Sequence, residues 1–66
     1  MAANDDVLIL PEISELTRVP ISTLRYYRHR GIGPPMFRVG RRVVARRSDV
    51  LAWLEAQRTQ GEGRHE

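Results

Sequence analysis

Apolar positions come in short groups along the chain, each with its own spacing and each closed by a proline or a glycine. Val7-Leu8-Ile9-Leu10 is a continuous apolar run stopped by Pro11, and it reads as a short extended segment. Pro11-Glu12 then opens a helix, because proline suits a first turn and the acids suit the positive end of the helix dipole. Ile13 and Leu16, with Leu10, give an i, i+3 apolar stripe. This helix should stop near Arg18, since Pro20 pushes the residue before it out of the helical region.

A second helix is expected from Ile21 to Arg30, with Gly31 as a left-handed cap. Stepping about 100° per residue puts Ile21, Leu24, Tyr27 and Arg28 on one side. Ser22, Tyr26 and His29 fall opposite, flanked by Thr23, Arg25 and Arg30. Two helices joined by about three residues, the second polar and arginine-rich outside, form a helix-turn-helix pattern. Gly33-Pro34-Pro35 is a non-helical connector, and Phe37 to Arg46 reads as a β-hairpin turning at Gly40. A two-residue loop pairs Val39 with Arg42; a three-residue loop pairs Val39 with Val43 and Phe37 with Ala45. The second register puts like with like on one face and is preferred. Ser48-Asp49 starts a third helix with Ser48 as N-cap, Val50, Trp53, Leu54 and Gln57 on one face, and Leu51 and Glu55 on the other. The expected core is Ile13, Leu16, Val19, Ile21, Leu24, Tyr27, Ile32, Phe37, Val39, Val43, Val50, Trp53 and Leu54. Residues 1–6 are expected to be disordered, residues 7–58 to form the domain, and residues 59–66, polar and broken by glycine, to form a flexible tail.

Charge changes the picture. All 11 basic residues are arginine, and the net charge is +3. Residues 1–16 carry −4, residues 17–47 carry +9 with no acid, and residues 48–66 carry −2. A GC-rich genome would replace lysine by arginine, but it would not segregate the bases from the acids. A block of nine arginines calls for an anionic partner, and the guanidinium fork suits phosphates and guanine edges.

The outer face of the second helix concentrates the candidate chemistry. Ser22 and Thr23 lie in its first turn, where hydroxyls and free backbone N–H groups can hold a phosphate. Arg25 is long enough to reach guanine O6 and N7 in a major groove, Tyr26 offers a phenol to a phosphate, and Arg30 extends the same basic face. Arg28 lies on the inward edge and is expected to lay its stem on the core or pair with an acid. Arg41 and Arg42 at the hairpin tip form a wing suited to a narrow minor groove. Two arginines on a loop mean little alone; following a helix-turn-helix at this distance, they gain weight.

Other classes fall away. Sixty-six residues bury only about 60% of the unfolded surface, leaving little room for an enclosed active site, so an enzyme is not expected. The absence of cysteine excludes disulfides and thiolate zinc sites, and His29 and His65 are too few for a metal cage. No cofactor is expected. The longest apolar run falls far short of the roughly 20 residues that span a bilayer, and Asp5 and Asp6 do not suit a signal peptide. A cytoplasmic protein without a membrane partner is the expectation.

Leu10-Pro11-Glu12 and Ser22-Thr23-Leu24-Arg25-Tyr26-Tyr27 resemble the opening of MerR-type winged-helix domains. Val39-Gly40-Arg41-Arg42-Val43, Arg46-Arg47-Ser48-Asp49-Val50 and Ala52-Trp53-Leu54 resemble small excisionase and AlpA-like proteins of phages and mobile elements. The resemblance covers residues 8 to about 57 and departs from the pattern at Pro20, Val44 and Ala45. It implies an α+β, mostly helical, MerR-like winged helix-turn-helix: a two-helix unit, a β-hairpin wing and a C-terminal helix. By that resemblance Ser22, Thr23, Arg25 and Tyr26 meet the major groove or backbone, and Arg41 and Arg42 act from the wing. The implied function is an excisionase, or recombination directionality factor. Such a protein binds and bends double-stranded DNA at direct repeats near an attachment site and directs a tyrosine integrase toward prophage excision in a bacterial host, at the nucleoid. A small AlpA-like transcriptional regulator is the alternative, and a basic module for RNA or an acidic protein is a lesser one. No coiled-coil segment or apolar dimer face is evident, so a monomer is expected. Further copies would assemble head to tail on DNA, with Glu12, Glu15 and Glu55 meeting a neighbour's wing.

Overall fold

In the computed structural model, which describes residues 6–63, the chain forms β1 (Val7–Ile9), α1 (Leu10–Thr17), α2 (Ile21–Arg30), β2 (Phe37–Val39), β3 (Arg42–Arg46) and α3 (Arg47–Gly63). The strands make one antiparallel sheet in the order β1-β3-β2. This is the α+β winged helix-turn-helix that the sequence pattern predicts. The sheet has one strand more than the expected hairpin, because Val7–Ile9 pairs with β3.

The turn between α1 and α2 is held by one buried hydroxyl. Thr17 Oγ1 donates to the Ile13 carbonyl at 2.8 Å and accepts the Val19 N–H at 3.3 Å. Both polar functions of a buried side chain are thereby satisfied, as burial requires. Arg18 turns the chain in the left-handed region, and its N–H bonds to the Ser14 carbonyl at 2.7 Å. Pro20 then sets the extended backbone from which α2 departs. The Ile9 N–H ahead of α1 donates to Glu12 Oε1 at 2.9 Å, which explains an acid at this point of the first turn. Helix α2 ends at Gly31 as predicted, with the Gly31 and Ile32 N–H groups closing on the Arg28 and Tyr27 carbonyls.

The hairpin takes the two-residue loop: Val39 faces Arg42, Arg38 faces Val43 and Phe37 faces Val44. The preferred three-residue register is therefore corrected. Gly40 sits at φ +62° while Arg41 does not have positive φ, a combination that fits a tight turn with glycine at its first central position. The other strand of the sheet makes the register consequential. Leu8 pairs with Ala45, and both are buried in the same cluster as Ile13, Leu24 and Val50. By pleat alternation, Val44 and its neighbours Ile9 and Phe37 then occupy the opposite face.

That placement also corrects the expected core. Phe37, Val39 and Ile32 are exposed, while Leu8, Val44 and Ala45 are buried. β3 is a central strand with neighbours on both sides, which explains burial at positions where a free hairpin would expose polar side chains. Ile13, Leu24 and Val50 form the fully buried centre, with Leu10, Leu16, Val19 and Met36 packed around it. Tyr27 and Trp53 are half-buried and meet with ring centroids 6.2 Å apart.

Helix α3 begins at Arg47, directly after β3, so Ser48 lies inside its first turn and does not precede it as N-cap. The Arg47 N–H donates to the Asp6 carbonyl at 2.8 Å, and the Arg47 guanidinium reaches Asp6 Oδ2 at 3.3 Å. Asp6 is thus tied to the domain, while residues 1–5 of the expected disordered segment lie outside the described residues. The expected boundary near Arg58 is passed as well: α3 runs through Gly61 to Gly63. Residues 64–66 of the expected tail lie outside the described residues.

Two substitutions test this framework. Thr17→Val keeps the shape and removes both hydrogen bonds of the turn, and should lower stability by about 1–2 kcal/mol in urea unfolding. At Gly33 (φ +87°) an added Cβ would lie 2.8 Å from Tyr27 Cβ. Gly33→Ala should therefore cost about 1–3 kcal/mol, more than Gly31→Ala, where the methyl meets nothing within 4 Å. Equal losses at the two glycines would contradict the contact with Tyr27.

Candidate nucleic-acid interface

Leu24 is the buried residue of α2, so the opposite side of this helix is turned to solvent. Ser22, Arg25, Tyr26, His29 and Arg30 are exposed there, and Thr23 is half-buried at its edge. No side chain caps the start of α2, because the preceding residue is Pro20. The first-turn N–H groups beside the Ser22 hydroxyl therefore face no competing side-chain acceptor and suit a phosphate oxygen.

The wing adds its cations to one side of this face. Arg41 occupies the two-residue turn, Arg42 begins β3, and both are exposed. Arg25, Arg41 and Arg42 line one open cleft of about 520 Å³, walled by Ile9, Leu10, Pro11 and Val43. Three cations from the second helix and from the wing thus converge on a single concavity, with no acid among its lining residues. A cleft lined by one sign of charge focuses its field and favours a polyanion.

Tyr26 and Arg30 form a second group. Arg30 Nη1 donates to the Tyr26 hydroxyl at 2.7 Å, and the guanidinium carbon lies 5.6 Å from the ring centroid. The Tyr26 ring also stands 6.4 Å from that of Tyr27, which in turn packs on Trp53. The exposed phenol is therefore linked through its neighbour to the inner face of α3.

The expected interface residues thus fall into three sets: Ser22 and Thr23 at the helix start, Arg25 with Arg41 and Arg42 in the cleft, and Tyr26 with Arg30 further along. Arg28 is exposed and, among the described residues, has no acid within ion-pair distance, so the acid pairing offered for it is not made. Arg47 leaves the basic block, since it pairs with Asp6. Two contributions escaped the sequence. The cleft wall from Ile9 to Pro11 is supplied by the β1–α1 junction. Arg38, exposed and paired across the hairpin with Val43, extends the face that borders the cleft. Its place in the arginine block and its alternation with Phe37 and Val39 are its sequence signals.

A helix-turn-helix with an arginine-bearing hairpin beside its second helix defines a winged-helix DNA-binding domain. The chain belongs to the helix-turn-helix domain family, whose model matches residues 8–58. No curated protein and no solved structure matches it. Among the described residues no helix is long and apolar enough to cross a membrane.

Duplex binding should be strongly salt-dependent, with log K falling against log salt by about 0.9 per phosphate neutralised. Arg41→Ala or Arg42→Ala should weaken specific and random duplexes alike. Arg25→Ala should chiefly lose discrimination, by about 1–3 kcal/mol if its fork meets a guanine. Competition titrations with specific and random duplexes separate the two patterns.

Proposed function

We propose that this domain is an excisionase: a sequence-specific DNA-binding and DNA-bending protein that directs a tyrosine integrase toward prophage excision. The observation that carries the reading is the cleft shared by Arg25, Arg41 and Arg42, since it lets helix and wing grip one duplex together. The matched family includes small AlpA- and excisionase-like DNA-binding proteins, which favours the same class. The domain itself performs no chemistry; strand exchange belongs to the integrase, and the domain contributes DNA shape.

One module of this kind buries only about 600–1,000 Å² of protein surface on DNA, too little for high specificity alone. Several copies on direct repeats near an attachment site would supply the rest, each bend easing the next. The exposed acids Glu12, Glu15 and Glu55 provide charges that a neighbour's wing can meet, although Glu55 already pairs with Arg58 at 2.6 Å. Glu12 Oε1 likewise already accepts the Ile9 N–H, so Glu15 on α1 is the better candidate. Such a heterologous contact extends along DNA without closing into a ring. The site of action would be the bacterial nucleoid.

An in vitro excision assay with the cognate integrase and attachment-site DNA tests this reading. Excision should depend on the domain, and Arg41→Ala should reduce it. Sedimentation should find a monomer without DNA, and gel shifts on direct repeats should be stepwise and cooperative. A stable symmetric dimer bound to one inverted repeat, with no effect on excision, would instead indicate a transcriptional regulator.

A further inference from the structure

Arg30 is the last residue of α2, eight positions after Ser22, which is about 12 Å along the axis. In helix-turn-helix docking the N-terminal part of the second helix enters the groove. A side chain at the far end is poorly placed to share that contact. It is nevertheless not turned idly to solvent: its guanidinium hydrogen bonds to the Tyr26 hydroxyl at 2.7 Å.

The chemistry of that bond is directional. Arginine only donates, so the phenol oxygen is the acceptor. With one lone-pair site occupied by Arg30, the hydroxyl proton is left to point elsewhere, toward solvent on a residue that is 52% exposed. On its other side the ring is flanked by Tyr27, which is itself wedged between Gly33 and Trp53. Tyr26 is thus held at its rim by a packed neighbour and at its tip by a cation. A hydroxyl held in this way is a pre-oriented donor, and the adjacent positive charge strengthens the bond it makes to an anion.

We infer that Arg30 is a positioning residue that acts through Tyr26: it aims the phenolic O–H at a DNA phosphate flanking the groove occupied by the start of α2. The assignment rests on the DNA-binding reading and changes the role of Arg30 within it. Arg30 contributes through the orientation of its neighbour, and Tyr26 makes the contact. The two side chains then behave as one unit, and loss of either disables it.

A double-mutant cycle on duplex binding tests this, using wild type, Tyr26→Phe, Arg30→Met, the double variant, and Arg41→Ala as a reference for a direct phosphate contact. Both side chains are exposed, so thermal melting of the variants should match wild type. Tyr26→Phe and Arg30→Met should each weaken binding by about three- to tenfold, and the double variant should bind no more weakly than Tyr26→Phe. Arg41→Ala should lower the salt slope by about 0.9, and Arg30→Met should lower it by much less. Additive losses across the cycle overturn the assignment, as does a salt slope for Arg30→Met reduced as far as that for Arg41→Ala. Unchanged affinity in Tyr26→Phe overturns it as well. Wild type that fails to bind duplex DNA would overturn the DNA-binding reading together with it.

Discussion

Helix α2 is held in place chiefly by one fully buried side chain, Leu24. The rest of the helix is poorly equipped to fold by itself, since Arg25, Arg28 and Arg30 crowd positive charge onto about two turns. A short helix with β-branched and charged residues is marginal in water. Burial of Leu24 supplies about 1.5–3 kcal/mol of stabilisation, and the Tyr27–Trp53 contact adds a second point of attachment. With one helix face anchored, the other is free to be wholly polar. That division is what makes α2 usable as a recognition element, and binding a polyanion relieves the repulsion along its outer face.

The fixed position of α2 gives meaning to the wing. β3 lies between β1 and β2, and Ala45 brings the sheet against the cluster that contains Leu24. The small side chain at Ala45 lets the sheet approach closely, and the tight loop at Gly40 then puts Arg41 at the tip and Arg42 on the first residue of β3. The cleft with Arg25 follows from this apolar packing and from the tight turn at Gly40. Electrostatics at the surface is here a consequence of apolar packing beneath it. The same packing accounts for the exposed apolar side chains: once Ala45 and Leu8 face the helices, Phe37 and Val39 must lie on the other side of the sheet.

Much of this was legible in the chain. Pro20, Gly31 and Gly40 punctuate the elements where the sequence predicts, and both helices of the helix-turn-helix take nearly their expected bounds. The segregation of arginines marked the basic face before any contact was known. These signals are local: a cap, a proline or a helical period depends on residues a few positions apart. The outward direction of Ser22, Arg25 and Tyr26 follows from the same periodicity, because Leu24 is the obvious apolar residue between them.

What the tertiary structure decided depends on partners distant in the chain. Val7–Ile9 looked like an isolated extended segment until β3 paired with it, and that pairing buries Leu8 and Ala45. The hairpin register could not be settled by matching like residues, because the demand on Ala45 comes from Leu8 and the helices and not from β2. The block of nine arginines includes Arg47, yet Asp6, far away in sequence, claims it. Composition determines that a side chain can meet a phosphate, but only the packed chain determines which neighbours reach it first.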